Sequence, residues 1–183
     1  MTPVQQFEAF LQNHQNMVFS TAMRLVANHA EAEDISQEVF LRAYDHFHEL
    51  ADNPRAVGWL KTVATNLSLN HLARYRSRWS FFSELLRPGD DDTESMDFPA
   101  PETDDLDRRD QSALVEKALQ QLPPAQRVPM VLFHLDGLSY EEIAARLNIS
   151  LGKVKTDIHR GRKSLRARLE RLGGGERIES SPS

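Results

Sequence analysis

Apolar residues recur along this chain at helical rather than strand spacing. Between Val4 and Val26 they fall at Phe7, Phe10, Leu11, Met17, Val18, Ala22 and Leu25, close to the period of one helix face. The run from Asn28 to Glu31 has the form of a capping box. It predicts a second helix from about His29 to Phe47, with an apolar face of Ala32, Ile35, Val39, Leu41 and Ala43. Asp52, Asn53 and Pro54 give a further start signal, because proline suits a first helical turn, and a third helix is expected from roughly Pro54 to Arg78. Nothing alternates with period two over a useful length, so no sheet is expected.

The periodicity lapses over residues 87–105, which hold three prolines, one glycine and a dense run of acids. Such a stretch cannot bury enough apolar surface to fold and reads as a flexible linker. Helices resume near Leu106, and Pro123 and Pro124 break them once. Pro129 lies where a helix is expected and removes a backbone donor, which predicts a kink or a late start there. Ser139 to Glu142 opens a short helix with apolar Ile143, Ala144 and Leu147. Asn148 to Ser150 interrupts it, and a longer helix follows with Val154, Ile158, Leu165 and Leu169 on one face. This is the pattern of a helix-turn-helix. The fold class expected is all-α: a helical domain at 1–86, the acidic linker at 87–105, a helix-turn-helix domain at 106–172, and a disordered tail at 173–183.

Charge changes the picture because it is segregated. The net charge is -5, yet residues 84–107 alone carry ten acids and one arginine. Residues 1–50 carry seven acids and two arginines, and residues 53–83 carry five basic groups and no acid. Blocks of opposite charge point to separate surfaces for separate partners. From Ser150 to Arg171 there are eight Lys or Arg residues against two acids. On a helical wheel Gly152, Lys153, Thr156, His159, Arg160 and Lys163 oppose the apolar stripe, flanked by Lys155, Arg162 and Arg166. An amphipathic cationic helix of this kind suits the major groove of DNA. Asp157 interrupts the basic face, either to accept from a cytosine amino group or, as we prefer, to orient a neighbouring arginine.

The block from Trp59 to Phe82 interleaves aromatics with Arg74, Arg76 and Arg78. Aromatic faces stack unpaired bases while arginines hold phosphates, so the block fits single-stranded or distorted nucleic acid. Two readings stand side by side here. Trp59, Leu60, Val63, Leu67 and Leu72 also make an ordinary core stripe, and the arginines an ordinary solvated face. Other chemistry is excluded more simply. The chain has no cysteine, which removes disulfides, thiolate metal sites and cysteine nucleophiles. His46 and His48 lack supporting ligands, and there is no glycine-rich phosphate loop or nucleophile–base pair. No enzyme activity, metal or cofactor is expected, and the absence of a leader or apolar span predicts a soluble cytoplasmic protein without membrane insertion.

Four passages, in order, resemble the extracytoplasmic-function (ECF) sigma factors of the sigma-70 family: Ala32 to Tyr44, Trp59 to Asn70, Leu122 to Arg127, and Gly137 to Thr156. The resemblance implies a two-domain transcription initiation factor whose partners are core RNA polymerase, through the clamp region of its largest subunit, promoter DNA and an anti-sigma factor. It places Asp34, Gln37, Glu38 and Arg42 on the polymerase. It places Asn66, Asn70, Arg74, Arg76 and Arg78 on the melted −10 element, although many family members have an aspartate where Asn70 stands. It places Lys153, Lys155, Thr156, His159, Arg160 and Lys163 on the −35 element. A plain helix-turn-helix regulator is the alternative; it accounts for residues 139–169 but leaves the acidic helix and the Trp59–Phe82 block without a role.

Overall fold

The computed structural model describes residues 1–74 and 105–179, with side chains described at 1–74 and 111–173. All its regular elements are helices: α1 (Pro3–Val26), α2 (His29–Asp45), α3 (Phe47–Leu50), α4 (Ala56–Ala73), α5 (Asp105–Gln120), α6 (Pro124–His134), α7 (Tyr140–Leu147) and α8 (Leu151–Glu179). The expected linker falls almost entirely outside the described residues, as do Arg76 and Arg78.

Local chemistry sets the helix ends. Thr2 caps α1 in a reciprocal box with Gln5, by hydrogen bonds of 3.3 and 3.0 Å. The Asn28 side chain accepts from the Glu31 amide at 3.1 Å and starts α2. That helix stops at Asp45, and Phe47 opens a separate single turn. The third long helix begins at Ala56 rather than Pro54. The Asn53 side chain accepts from the Arg55 amide at 2.9 Å, an Asx turn that holds Pro54 outside the helix. Pro129 does not delay α6, which starts at Pro124 and runs through it. Pro124 takes the first-turn position for which its fixed φ is suited, and Pro129 is fully buried in the second turn. The last helix continues to Glu179, past the three glycines at which the sequence reading begins a disordered tail. Each glycine costs a helix only about 1 kcal/mol, and Leu165, Leu169 and Leu172 anchor the preceding turns in the core.

Helices α1, α2 and α4 form one bundle around Val18, Leu25, Val39 and Leu60, all fully buried. Ala22, Ala32, Ala43 and Ala64 are buried between them and let the backbones approach closely. Leu41, expected on this core face, is 64% exposed, and Phe40 is buried in its place. Two residues turn a helix by about 200°, so Leu41 cannot share the side of Val39. The second core joins α5, α6, α7 and α8 around Leu132, Ile143, Val154 and Ile158. Gly161 lets α8 lie against α6, since a Cβ there would stand 2.3 Å from Met130 Sδ. Helix α6 also packs on α1, joining the two units.

Candidate protein- and nucleic-acid-binding surfaces

The outer side of α2 carries Asp34 and Gln37, both exposed. Glu38 and Arg42 pair one helical turn apart at 2.9 Å, with about half of each side chain in solvent. Leu41 and Tyr44 (57% exposed) project from the same helix. The surface is mixed, with exposed apolar groups among charges.

On α4 the two readings of the Trp59 block separate by residue. Leu60 and Leu72 are buried, Val63 and Leu67 pack against them, and the half-buried Trp59 ring lies 6.0 Å from that of His46. The apolar stripe is core. Asn70 and Arg74 are exposed on the C-terminal half of the helix. Asn66 is half-buried and accepts a hydrogen bond from Arg146 of α7.

The helix-turn-helix is built by its caps. Ser139 accepts from the Glu142 amide at 3.1 Å and starts α7, while Asn148 ends it in the left-handed region at φ 53. Ser150 accepts from the Lys153 amide at 3.1 Å and starts α8. Val154, Ile158 and Leu165 face inward, leaving Lys155, Thr156 and Lys163 exposed and His159 and Arg160 half-buried. The Thr156 hydroxyl donates to the Gly152 carbonyl at 2.9 Å, which leaves its oxygen lone pairs and methyl outward. Asp157 is buried and accepts from Lys153 Nζ at 2.8 Å, so its partner is a lysine one turn back rather than an arginine. Burial pushes its carboxyl pKa up, against the opposing pull of Lys153 and Arg160.

Between the units lies a cleft of about 180 Å³, with Leu69, Asn70 and Ala73 on one wall and Pro129, Arg146 and Lys153 on the other. Several polar contacts cross the same junction. Arg24 meets Glu116 at 2.6 Å, and the Thr65 hydroxyl donates to Asp136 at 3.5 Å. Burial raises the Asp136 pKa, opposed by the Thr65 hydrogen bond and by Arg24 and Lys61. Arg127, only 3% exposed, donates twice to the Leu25 carbonyl (3.2 and 3.0 Å) and once to the Leu122 carbonyl (2.7 Å). Burial lowers its pKa to about 10, which still leaves it charged near neutrality. The sequence reading assigned no such role to Arg127, Arg146 or Asp136. The available signal for Arg127 was a charge set directly before the apolar run from Val128 to Phe133. Among the described residues no cluster of His, Asp and Glu is arranged to hold a metal, and no helix is long and apolar enough to cross a membrane.

Both helical units match known sequence families. Residues 10–78 match Sigma-70 region 2, and residues 112–165 match Sigma-70, region 4. The chain is 38% identical over 160 residues to the ECF RNA polymerase sigma factor SigE of Mycolicibacterium smegmatis, covering 87% of this chain and 60% of that longer protein. It is 32% identical over 167 residues to the ECF RNA polymerase sigma factor SigW of Bacillus subtilis, covering 87% and 86%. The chain belongs to the ECF sigma factors of the sigma-70 family. Its region 2 match contains the exposed side of α2 and the whole of α4, and its region 4 match contains the helix-turn-helix. Among solved structures, the sigma factor RpoE of Bartonella quintana, crystallised with the anti-sigma factor NepR, aligns at a TM-score of 0.47 and 25% identity, over 90% of this chain and 96% of that one.

Proposed function

We propose that this sigma factor binds core RNA polymerase through α2, reads unpaired −10 bases with α4 and reads the −35 duplex with α8. The observation that carries the reading is the distribution of surfaces within the two matched regions. One helix exposes acids and apolar side chains together, a second exposes Asn70 and Arg74 with Asn66 half-buried beside them, and a third exposes cations opposite a buried stripe. Asp34, Gln37, Glu38 and Arg42 form the polymerase contact, aided by Leu41 and Tyr44. Asn66 and Asn70 offer amides that both donate and accept to a base edge, and Arg74 offers a phosphate contact. Lys153, Lys155, Thr156, His159, Arg160 and Lys163 meet the −35 element, with Lys155, Thr156 and Lys163 the most exposed of the six. The chemistry of RNA synthesis belongs to the polymerase, and the sigma factor supplies promoter choice and strand opening. An anti-sigma factor as further partner, and a cytoplasmic site of action, belong to the same reading.

The test is reversal of charge at Asp34 and Glu38. The double Lys variant should bind core polymerase at least several-fold more weakly while its far-ultraviolet circular dichroism stays that of the parent, because both positions lie on a polar face. Unchanged affinity would remove α2 as the contact. A chain that holds a duplex operator tightly by itself, with no affinity for polymerase, would be a plain helix-turn-helix regulator instead.

A further inference from the structure

The first two turns of α8, from Leu151 to Asp157, present less polar chemistry outward than their sequence suggests. In a helix-turn-helix this is the stretch that reaches base edges in the major groove. Val154 and Asp157 are buried, and Gly152 has no side chain. Lys153 is held by Asp157, one turn on, at 2.8 Å. The Thr156 hydroxyl donates its proton to the Gly152 carbonyl at 2.9 Å. What remains outward is the Lys155 ammonium, the Thr156 methyl and lone pairs, and the side chain of Leu151.

Leu151 is a large apolar group left 37% exposed on a cationic helix. A lone exposed leucine means little by itself. Its place gives this one meaning. It is the first residue of the helix, between exposed Ser150 and exposed Gly152. Helical side chains tilt toward the N-terminus, so the leucine projects past the first turn. A Cβ at Gly152 would meet nothing within 4 Å, so no other part of the chain crowds the helix start there. The major-groove edge of a base pair offers one apolar group, the 5-methyl of thymine. Against that methyl, leucine removes two apolar surfaces from water. Against an amino group or a ring nitrogen it buries a polar edge without a partner.

We infer that Leu151 is a specificity-determining residue that reads the methyl group of a thymine in the −35 duplex. Base preference at that position then comes from apolar contact rather than from a hydrogen bond, while Lys155 beside it supplies charge. The inference rests on the assignment of α8 to the −35 element.

The test uses the full-length chain bound to core polymerase, as the parent and as Leu151→Ala. The DNA is a duplex promoter that the parental complex selects from a random pool. Each thymine of its −35 element is replaced in turn by deoxyuridine, which lacks only the methyl group. Affinity is read by competition, together with its salt dependence. In the parent, uracil at one position should weaken binding about fourfold, the effect of one apolar group of that size left in water. Leu151→Ala should bind the thymine duplex about as weakly as the parent binds that uracil duplex, and should no longer distinguish the two. Its salt dependence should be parental, since no phosphate contact is lost. The exposed site and the better helix propensity of alanine keep the variant folded. A parent indifferent to uracil at every position, or an equal uracil penalty in Leu151→Ala, would overturn the inference and leave α8 on the −35 element. A selected promoter with no element upstream of the melted bases would overturn the assignment of α8, and the inference with it.

Discussion

At the scale of single residues, Asp157 sets how much positive charge α8 presents. Its carboxylate is buried against Lys153, and burial raises its pKa above the ordinary 3.8. The folded chain therefore binds a proton more readily than the unfolded one, so Asp157 contributes stability at low pH that is lost as pH rises from about 3.8 through the folded pKa. Replacing Asp157 with Asn removes that loss. Denaturation midpoints taken across mildly acidic to neutral pH should fall less with rising pH in the variant than in the parent. A parallel pH dependence would show that the buried carboxylate is fully offset by its cations. The same variant frees Lys153 for phosphate and should steepen the salt dependence of DNA binding. Asn66 makes the second prediction at this scale. Alanine there should impair strand opening more than initial promoter binding, read by permanganate reactivity of thymines, and a pre-melted template should restore part of the loss. Normal opening would take Asn66 out of the base contact. Individual residues were the least legible part of the sequence. The partner of Arg127 is a main-chain carbonyl 102 positions away, which side-chain pattern does not encode. Leu41 is expected on the apolar face of its helix, whereas its angle two residues from Val39 puts it outside.

At the scale of elements, helix ends carry the testable energetics. Ala27 closes α1 in the left-handed region at φ 51, a conformation that costs a residue with a Cβ about 1–2 kcal/mol. Ala27→Gly should stabilise the protein by about 0.5–1 kcal/mol after the larger chain entropy of glycine is counted, seen as a higher thermal midpoint. At the matching position in the helix-turn-helix, Asn148→Ala should cost about 1 kcal/mol and Asn148→Gly close to nothing. Equal effects of the two would show that φ does not decide that turn. Gly161→Ala should be destabilising despite the better helix propensity of alanine, because the added Cβ meets Met130 and lies 3.2 Å from the Gln126 carbonyl. Elements were well marked in the sequence for a physical reason: Asn28 and Ser139 cap by side chains that the sequence displays, and the apolar periods of α1 and α8 survive in their buried faces. Boundaries set by rarer devices were not legible. The Thr2–Gln5 box precedes any strong apolar period, and the Asx turn at Asn53 moves the start of α4 past the proline that signals it.

At the scale of the whole molecule, two small helical units of one chain carry surfaces of different chemistry. The outer face of α2 is exposed, whereas on α4 Asn66 is half-buried and bonded to Arg146 of the second unit and Asn70 is exposed. The assignment to region 2 and region 4 was legible from four short passages taken in order. The junction between the units was not, because it is made of contacts between distant segments. The measurement that reaches the central claim most directly is reconstituted transcription from a promoter of this sigma factor, with core polymerase and the purified chain supplied separately and together. Specific transcript should appear only in the combined reaction, with permanganate-reactive thymines at the −10 element of the same template. A specific transcript from core polymerase alone, or none when both are present and bound to each other, would contradict the account.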